Sequence, residues 1–212
     1  MERVICLAIG YVFGLFQTGY LYSKSRHMDI RNYGSGNSGS TNVLRVMGKK
    51  AGLIVFLGDA GKMIAACLIT RLLFSGRPDM LYVYLLYTGL GVILGHNYPC
   101  YMQFKGGKGI AASAGLLASL DWRVMLVCLA VFVITVAVTR YVSLGSILVM
   151  VCFMAGMSFF AYRGDFGIGA EHLPEFYVLA LIIGFMGIWR HHANIKRLLN
   201  GTENKLGSKK KE

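Results

Sequence analysis

Apolar residues gather into seven stretches along the chain, each followed by polar or charged residues. A helix needs about 20 mostly apolar residues to cross the ~30 Å hydrocarbon core of a bilayer. The pattern therefore predicts an all-α, polytopic membrane helix bundle with about seven transmembrane helices, and five or six crossings are the alternatives. The fourth stretch is too short to cross alone, so it is re-entrant, tilted or continuous with the glycine-rich loop before it. The stretches lie near residues 4–22, 51–74, 80–95, 109–120, 122–139, 142–161 and 175–189.

The composition agrees with a chain surrounded mostly by lipid. Of the 212 residues, 55% are hydrophobic and only 15% are charged, whereas an average soluble domain is roughly 25% charged. This length predicts a single domain over residues 1–212, with a frayed basic tail at 208–212. The first apolar stretch is too long for a signal peptide and no A-x-A-like site follows it, so we expect a retained span.

Basic residues are distributed unevenly between the two ends of the predicted bundle. Of the 22 Lys and Arg residues, 16 lie in loop 23–50, in loop 96–108, at Arg140 or after residue 189. The positive-inside rule places these in the cytoplasm, so we expect the N-terminus outside and the C-terminus cytoplasmic. The net charge of +12 then indicates topology and anionic partners rather than nucleic acid. The five cysteines include no C-x-x-C, which predicts neither a disulfide framework nor a metal site.

The first polar loop, residues 34–45, has a composition suited to binding an anion. Three glycines within residues 34–39 allow left-handed backbone conformations, in which successive N–H groups form an anion-binding nest. Thr41 or Asn42 is predicted to cap a helix whose N-terminus faces the anion. Arg45 offers two parallel hydrogen bonds to a phosphate. A flexible polar loop is the alternative interpretation.

The second polar loop begins at His96 and contains the run Lys-Gly-Gly-Lys-Gly at residues 105–109. Its backbone donors, two cations and following helix are features of a phosphate loop. The run is not the Walker pattern, because Ile110 follows Gly109 and the spacing differs, so a nucleotide triphosphatase is not expected. Close helix packing through the glycines is the alternative.

A third polar segment follows the last apolar stretch. His191 and Asn194 are three residues apart and therefore share one helix face. The alternative is an amphipathic interfacial helix whose basic side chains reach the lipid headgroups.

Two ionisable residues lie inside the second apolar stretch. Asp59 and Lys62 would each cost about 2.5–3.5 kcal/mol near the bilayer centre, and their spacing allows mutual pairing. We expect a structural pair or the wall of a site. Ser143 and Ser146 are either packing residues or donors to that site.

Together these segments resemble the PlsY family of bacterial, acyl-phosphate-dependent glycerol-3-phosphate acyltransferases. The matching stretches are GSGNSGSTNVLR (34–45), GHNYPCYMQFKGGKGIAAS (95–113) and HHANIKRLLNGTE (191–203). The run RYVSLGS (140–146) and the Asp59–Lys62 pair are also similar to the family. The resemblance covers essentially the whole chain. The departures are small: Ser38 and Ser40 stand where bulkier residues or Ala are common, and Cys100-Tyr101 replaces more apolar residues.

The resemblance implies an enzyme of the bacterial inner membrane with its active site on the cytoplasmic side. Such an enzyme moves an acyl group from acyl-phosphate to the 1-hydroxyl of glycerol 3-phosphate, giving lysophosphatidic acid and phosphate in the first acylation of phospholipid synthesis. The expected partners are glycerol 3-phosphate, acyl-phosphate and the lipid bilayer. No cofactor, metal or nucleic acid is expected, and the oligomeric state is not readable from the sequence. A membrane transporter of phosphorylated small solutes is the alternative, although the polar loops share one side and no inverted repeat is present.

The resemblance also assigns roles to residues of this chain. The implied catalytic residues are Ser35, Arg45, Lys105, His191 and Asn194. The implied substrate-binding residues are Gly34, Gly36, Asn37, Asn42, His96, Gly106, Gly107, Lys108, Gly109 and Ser143. The implied structural supports are Asp59, Lys62 and Glu203. The general base is left open between His191, His96 and a substrate phosphate. No His is followed by Asp at the fifth position, so coenzyme A thioesters are expected to be poor donors.

Overall fold

A computed structural model of the chain describes residues 1–207, and the predicted basic tail at 208–212 lies outside these described residues. The regular structure of residues 1–207 consists of ten α-helices and three short 3-10 helices. The α-helices are α1 Glu2–Gly14, α2 Thr18–Lys24, α3 Ser40–Met47, α4 Lys49–Leu73, α5 Leu81–Asn97, α6 Ile110–Leu120, α7 Trp122–Thr139, α8 Val142–Tyr162, α9 Leu173–Trp189 and α10 His192–Leu199.

Each of the seven predicted apolar stretches is helical, which confirms the prediction of an all-α membrane bundle. Five segments of residues 1–207 are long and apolar enough to cross a bilayer, namely Glu2–Lys24, Lys49–Leu73, Trp122–Thr139, Val142–Tyr162 and Ala170–Trp189. The 17 residues of α5 span about 25 Å, and the 11 residues of α6 span about 16 Å. The number of crossings therefore stays a prediction.

The first predicted span is interrupted between α1 and α2, where the chain leaves helical geometry around Phe16. A broken helix at membrane depth requires other partners for the freed carbonyl groups. The Lys62 ammonium donates to the carbonyls of Gly14 at 3.3 Å and Phe16 at 2.5 Å. The Gln17 amide donates to the carbonyls of Gly14 at 3.2 Å and His96 at 3.0 Å. Polar side chains thus stabilise the break.

Helices α1 and α5 pack backbone to backbone through glycines. A Cβ atom added at Gly10 would lie 2.8 Å from the amide nitrogen of Val92, and one added at Gly14 would lie 2.8 Å from the Cα of Gly95. Such small residues allow membrane helices to approach closely. The contact places the end of α5, which carries His96, directly beside the break between α1 and α2.

Burial differs sharply between α5 and α7. Twelve of the 17 residues of α5 are buried, and large side chains such as Tyr84 and Leu86 have no exposed surface. Only Val124 and Cys128 are buried in α7, where Met125 and Phe132 pack partly buried against the core and most of the other apolar side chains are exposed. This contrast in burial places α5 at the centre of the bundle and α7 at its edge. Exposed apolar side chains on α7 are compatible with lipid, because lipid tails are equally apolar.

Candidate active site

One pocket brings all three predicted loops together at the same end of the bundle. It is open on one side and lies among α3, α4, α6, α8 and α10. The predicted site residues that line it are Ser35, Asn37, Asn42, Arg45, Asp59, His96, Lys108, Gly109, Ser143, His191, Asn194 and Glu203. Residues separated by more than 150 positions in the sequence are therefore assembled around a single space.

The N-termini of four helices converge on this pocket. Its lining includes Ser40 and Thr41 of α3, residues 110–111 of α6, residues 142–143 of α8, and His191 and Asn194 at the start of α10. None of these four N-termini has a side-chain cap hydrogen bond. The first N–H groups of a helix lack partners within the helix and carry partial positive charge. The lining is therefore suited to anions even before its charged side chains are considered.

The first loop is held by Asn42 in a way that the sequence did not reveal. The predicted cap at Thr41 or Asn42 is wrong, because the cap residue of α3 is Gly39, two to three residues earlier, and it makes no side-chain hydrogen bond. Asn42 lies within the first turn, where its Oδ1 accepts from the Ser35 amide at 2.9 Å and its Nδ2 donates to the Tyr33 carbonyl at 3.0 Å. This side chain folds the loop against α3 and leaves the helix N-terminus open.

Arg45 is exposed and lines the pocket. Its guanidinium lies 3.5 Å from Oδ1 of Asn42, and within residues 1–207 it forms no ion pair with a carboxylate. The charge of Arg45 is therefore available to an incoming anion.

The second loop does not offer the free backbone donors predicted for its glycines Gly106 and Gly107. The Gly106 amide donates to the Asn97 carbonyl at 3.1 Å, and the Gly107 amide donates to the His96 carbonyl at 3.0 Å. Their own carbonyls accept from the Arg190 guanidinium at 3.3 Å and 2.6 Å. Both peptide groups therefore shape the loop and are not free to bind an anion.

The two lysines of the second loop lie in different places. Lys105 is exposed and does not line the pocket, whereas Lys108 does. The Lys108 ammonium donates a hydrogen bond to Oδ1 of Asn194. Burial, followed by the positive charge of Arg197, lowers the pKa of Lys108 to about 8. A cation that is partly removed from water and crowded by other cations gains from the arrival of an anion.

His191 presents an unprotonated ring nitrogen to the pocket. Its Nδ1 lies 2.8 Å from the Gly187 carbonyl, which can only accept, so Nδ1 carries the hydrogen. Burial, followed by the charge of Lys108, lowers the pKa of His191 to about 4, which keeps the ring neutral at pH 7. Nε2 is therefore a hydrogen-bond acceptor and a base in a pocket lined mainly by donors.

Glu203 ties the C-terminal segment to two helices. Its Oε1 accepts from the Ser143 hydroxyl at 3.0 Å and from Nδ2 of Asn194 at 2.8 Å. Its Oε2 accepts from Nε of Arg197 at 2.7 Å. Both carboxylate oxygens are thus used within the protein, and they fix the start of α8 relative to α10.

The predicted pairing of Asp59 with Lys62 is formed, with Nζ 3.1 Å from Oδ1. The Lys62 ammonium also lies 2.9 Å from Nδ1 of His96, and the Thr18 hydroxyl donates to Oδ1 of Asp59 at 3.0 Å. Asp59 and His96 line the pocket, whereas Lys62 stands behind them. The group forms a charged wall between the pocket and the break in the first span.

The residues that line the pocket differ in part from the site residues that the sequence predicts. Six of the predicted site residues do not line the pocket, namely Gly34, Gly36, Lys62, Lys105, Gly106 and Gly107. Lining residues that the sequence did not single out include Ser40, Arg197 and Asn204. Arg197 follows Asn194 by three residues on α10, so the helical spacing that selected His191 and Asn194 extends to it as well. Nothing in the local sequence marks Asn204.

The chain matches known proteins over nearly its whole length. A family model described as glycerol-3-phosphate acyltransferase matches residues 4–201. The glycerol-3-phosphate acyltransferase of Thermoanaerobacter sp. (strain X514) is 40% identical over 210 residues, which are 99% of this chain and 98% of the relative. That of Clostridioides difficile (strain 630) is 40% identical over 210 residues, which are 98% of this chain and 97% of the relative.

Solved structures agree with these relatives. The crystal structure of PlsY, an integral membrane glycerol 3-phosphate acyltransferase, in its glycerol 3-phosphate form is similar with a TM-score of 0.83 and 34% identity, covering 98% of this chain and 96% of that one. Its lysophosphatidic acid form gives a TM-score of 0.81 and 33% identity, with the same coverage. This chain therefore belongs to the PlsY family of integral membrane glycerol-3-phosphate acyltransferases.

Proposed function

We propose that this chain transfers a fatty acyl group from acyl-phosphate to the 1-hydroxyl of glycerol 3-phosphate, releasing phosphate and lysophosphatidic acid. The single observation that carries the proposal is the pocket in which four helix N-termini meet Arg45, Lys108 and Arg197. Both proposed substrates carry a phosphate, and this lining offers donors and positive charge for two anions side by side. Membership of the family supports glycerol 3-phosphate as the acceptor and gives no support to a transporter.

The proposed reaction is a direct acyl transfer. The oxygen of the 1-hydroxyl attacks the carbonyl carbon, the bond from that carbon to the phosphate oxygen breaks, and inorganic phosphate leaves. The hydroxyl proton passes either to Nε2 of His191 or to an oxygen of the departing phosphate. His191 has the geometry for this step, because its Nδ1 is occupied by the Gly187 carbonyl and its ring lines the pocket.

Positioning and charge stabilisation account for the rate in this proposal, because acyl-phosphate is already an activated mixed anhydride. Holding two reactants in line can remove about 7–11 kcal/mol from a barrier. Donors that face the developing oxyanion add about 3–4 kcal/mol. The free N–H groups of the helix N-termini supply such donors in the lining. No covalent intermediate on the protein is needed.

We infer that the N-terminus lies outside and the C-terminus in the cytoplasm of a bacterial inner membrane, with the pocket facing the cytoplasm. The distribution of unpaired positive charge supports this orientation. At the opposite end of the bundle, Arg3 pairs with Glu175 and Arg123 pairs with Asp121 at 2.7 Å, so charge there is largely neutralised. The pocket end carries Arg45, for which residues 1–207 provide no carboxylate partner.

The reaction is tested with purified protein in detergent, acyl-phosphate and labelled glycerol 3-phosphate. We expect release of one phosphate for each lysophosphatidic acid formed, and little product when acyl-coenzyme A replaces acyl-phosphate. Equal turnover with acyl-coenzyme A would contradict the proposed donor. Counterflow of labelled glycerol 3-phosphate across liposomes without any product would contradict the proposed reaction and favour transport.

A further inference from the structure

The pocket lining is rich in donors and poor in acceptors. Arg45, Lys108, Arg197 and the helix N-termini all offer hydrogen atoms or positive charge, which suits phosphate oxygens. An acyl acceptor of the glycerol type also carries two hydroxyl groups, and each hydroxyl needs an acceptor for its hydrogen. Nε2 of His191 can serve the 1-hydroxyl, so the 2-hydroxyl needs a second acceptor. Glu203 cannot serve, because both of its carboxylate oxygens are already bound by Ser143, Asn194 and Arg197.

Asp59 is the other carboxylate in the lining, and its two oxygens are in different situations. Oδ1 accepts from Thr18 at 3.0 Å and lies 3.1 Å from the ammonium of Lys62. Within residues 1–207, Oδ2 takes part in no hydrogen bond. Asp59 lines the pocket, and Oδ2 is not one of the fully enclosed, unpartnered side-chain atoms of residues 1–207, which belong to Asn97 and Arg190. Oδ2 is therefore an unused acceptor in the wall of the pocket.

The surroundings fix this carboxylate tightly. The side chain of Asp59 is only 1% exposed, and that of Lys62 is 4% exposed. Thr18 reaches Asp59 because α4 carries Gly58 at the crossing, where a Cβ atom would lie 2.8 Å from the Thr18 hydroxyl. An acceptor held from one side in this way is oriented before any substrate arrives.

Asp59 lies deeper in the bundle than Arg45. It is ten residues from the start of α4 at Lys49, which corresponds to about 15 Å along the helix. Arg45 is on α3, whose last residue precedes α4 by two positions, and its side chain is exposed. A substrate whose phosphate binds Arg45 would direct its hydroxyl groups toward the bilayer interior. Asp59 lies at that depth, and the acyl chain of the donor would reach the pocket from the same side.

A contribution to stability alone does not account for the buried ion pair of Asp59 and Lys62. Ionisable residues inside a membrane segment are costly, and apolar residues of similar volume often stabilise a protein as well as a buried ion pair does. Lys62 has a structural task at the carbonyls of Gly14 and Phe16, but those contacts do not require a carboxylate that opens onto the pocket.

We propose that Asp59 binds the 2-hydroxyl of the acyl acceptor through Oδ2 and thereby selects a polyol phosphate over a simple alcohol phosphate. Thr18 and Lys62 are positioning residues that hold Oδ1 so that Oδ2 faces the substrate. This inference rests on the proposed function and adds to it the group that recognises the glycerol moiety.

The test compares two acceptors, glycerol 3-phosphate and 3-hydroxypropyl phosphate, which lacks the 2-hydroxyl but keeps the phosphate and the primary alcohol. The measured quantity is the ratio of their kcat/KM values at fixed acyl-phosphate. We expect Asp59→Asn to lower this ratio by roughly tenfold or more, because a hydrogen bond to a charged acceptor becomes one to a neutral acceptor. The KM for acyl-phosphate should stay unchanged. Thr18→Val, which retains the shape and both charges, should lower the ratio by a smaller factor.

Glu203→Gln is the matched control, since it neutralises the other carboxylate of the lining. It should lower kcat/KM for both acceptors by the same factor and leave their ratio unchanged. If Asp59→Asn and Thr18→Val both keep the wild-type ratio, the inference is overturned. It is also overturned if the ratio falls in His191→Gln and not in Asp59→Asn. If Asp59→Asn does not fold, Thr18→Val decides the outcome alone. Failure of the wild type to acylate glycerol 3-phosphate would instead contradict the proposed function.

Discussion

Lys108 and Asn194, which are 86 residues apart, are joined by a hydrogen bond from the lysine ammonium to Oδ1 of the amide. The other end of the same amide donates to Oε1 of Glu203 at 2.8 Å. These two contacts fix which way the amide of Asn194 points, and they hold the second loop against α10. Lys108 is therefore kept in the pocket by a side chain that is itself held by Glu203.

We expect Lys108→Ala to lower kcat/KM by at least ~100-fold, which corresponds to about 2.7 kcal/mol of transition-state stabilisation. The physical reason is that a half-buried cation in contact with Asn194 is lost from an anion pocket. The measurement is phosphate release from acyl-phosphate in the presence of glycerol 3-phosphate.

Lys105→Ala is the matched comparison, because Lys105 is on the same loop but outside the pocket lining. We expect it to lower kcat/KM less than Lys108→Ala does. An equal loss in both variants would favour the catalytic role of Lys105 that the sequence predicts, and it would contradict the assignment from the pocket.

The choice between these two lysines illustrates what the sequence leaves undetermined. The run at 105–109 correctly predicts a glycine-rich loop before a helix, and α6 does begin at Ile110. Which lysine enters the pocket depends on the path of the backbone, and Phe104 and Gly109 both adopt left-handed conformations with φ of 58° and 81°. A positive φ at a phenylalanine is set by tertiary contacts and has no local sequence signal.

The pH dependence of catalysis should report the ionisation of Lys108. Burial and the charge of Arg197 lower the pKa of this lysine to about 8. Below that pH the side chain is a cation that binds phosphate, and as the pH rises through this value the charge is lost. We therefore expect kcat/KM to fall above about pH 8. The fall in kcat should begin at a higher pH, because bound phosphate stabilises the protonated lysine.

Arg197→Gln tests this assignment. Removing a neighbouring positive charge raises the pKa of Lys108, so the decline in kcat/KM should move to higher pH. Arg197→Lys keeps the charge and should leave the midpoint in place. A midpoint that does not move in Arg197→Gln would show that another group controls the decline.

Gly107 should tolerate no side chain. A Cβ atom there would lie 2.9 Å from Cδ2 and Cε1 of the His96 imidazole, and that ring is also held by Lys62. We expect Gly107→Ala to displace the second loop and to lower kcat/KM by at least ~10-fold, or about 1.4 kcal/mol. The measurement is steady-state kinetics in detergent.

Gly76→Ala is the control for this prediction, because no atom lies within 4 Å of a Cβ added at Gly76. It should leave the kinetics unchanged. Equal activity of Gly107→Ala and Gly76→Ala would mean that the second loop can rearrange at no cost to the site.

The helices themselves could be predicted more completely than their interruptions. Apolar length alone locates all seven predicted stretches, since lipid imposes the same requirement on each. The break at Phe16 could not be found in this way, because only Gln17 and Thr18 interrupt the apolar run there and the partner Lys62 is 46 positions away. The same limit applies to Asn42, which was expected to cap α3 and instead binds the Ser35 amide. Contacts of this range depend on the packed structure.

Arg45 is expected to contribute its full charge to substrate binding. Within residues 1–207 it has no carboxylate partner, and its side chain is exposed at the pocket. We expect Arg45→Ala to lower kcat/KM by at least ~100-fold, or about 2.7 kcal/mol. Arg45→Lys should restore little of it, because a lysine cannot form two parallel hydrogen bonds to a phosphate.

Arg26→Ala is the matched control for Arg45→Ala. Arg26 is an exposed arginine of the same basic loop, and it lies over the ring of Tyr22 outside the pocket. It should retain the wild-type kcat/KM. A similar loss in both arginine variants would indicate that the general charge of the loop, rather than Arg45 itself, attracts the substrates.

The opposite end of the bundle should affect stability without affecting catalysis. The Arg3 guanidinium donates to the two oxygens of Glu175 at 2.5 Å and 2.7 Å, and the Tyr87 hydroxyl donates to one of them at 2.7 Å. These contacts join α1, α5 and α9. The side chains of Arg3 and Glu175 are 42% and 23% exposed, and exposed pairs contribute only ~0–1 kcal/mol, so the two-pronged geometry places this pair at the upper end of that range.

We expect Glu175→Gln to lower the melting temperature in detergent by about 2–4 °C, the shift that ~1 kcal/mol produces in a chain of this size. The kcat should be unchanged, since the pocket is at the other end of the bundle. Glu171→Gln is the control, because the Glu171 side chain is 71% exposed. Within residues 1–207 its one ion-pair contact is with His172, at 3.6 Å. A lowered kcat in Glu175→Gln at temperatures well below melting would mean that the two ends of the bundle are coupled, which nothing in the packing between them requires.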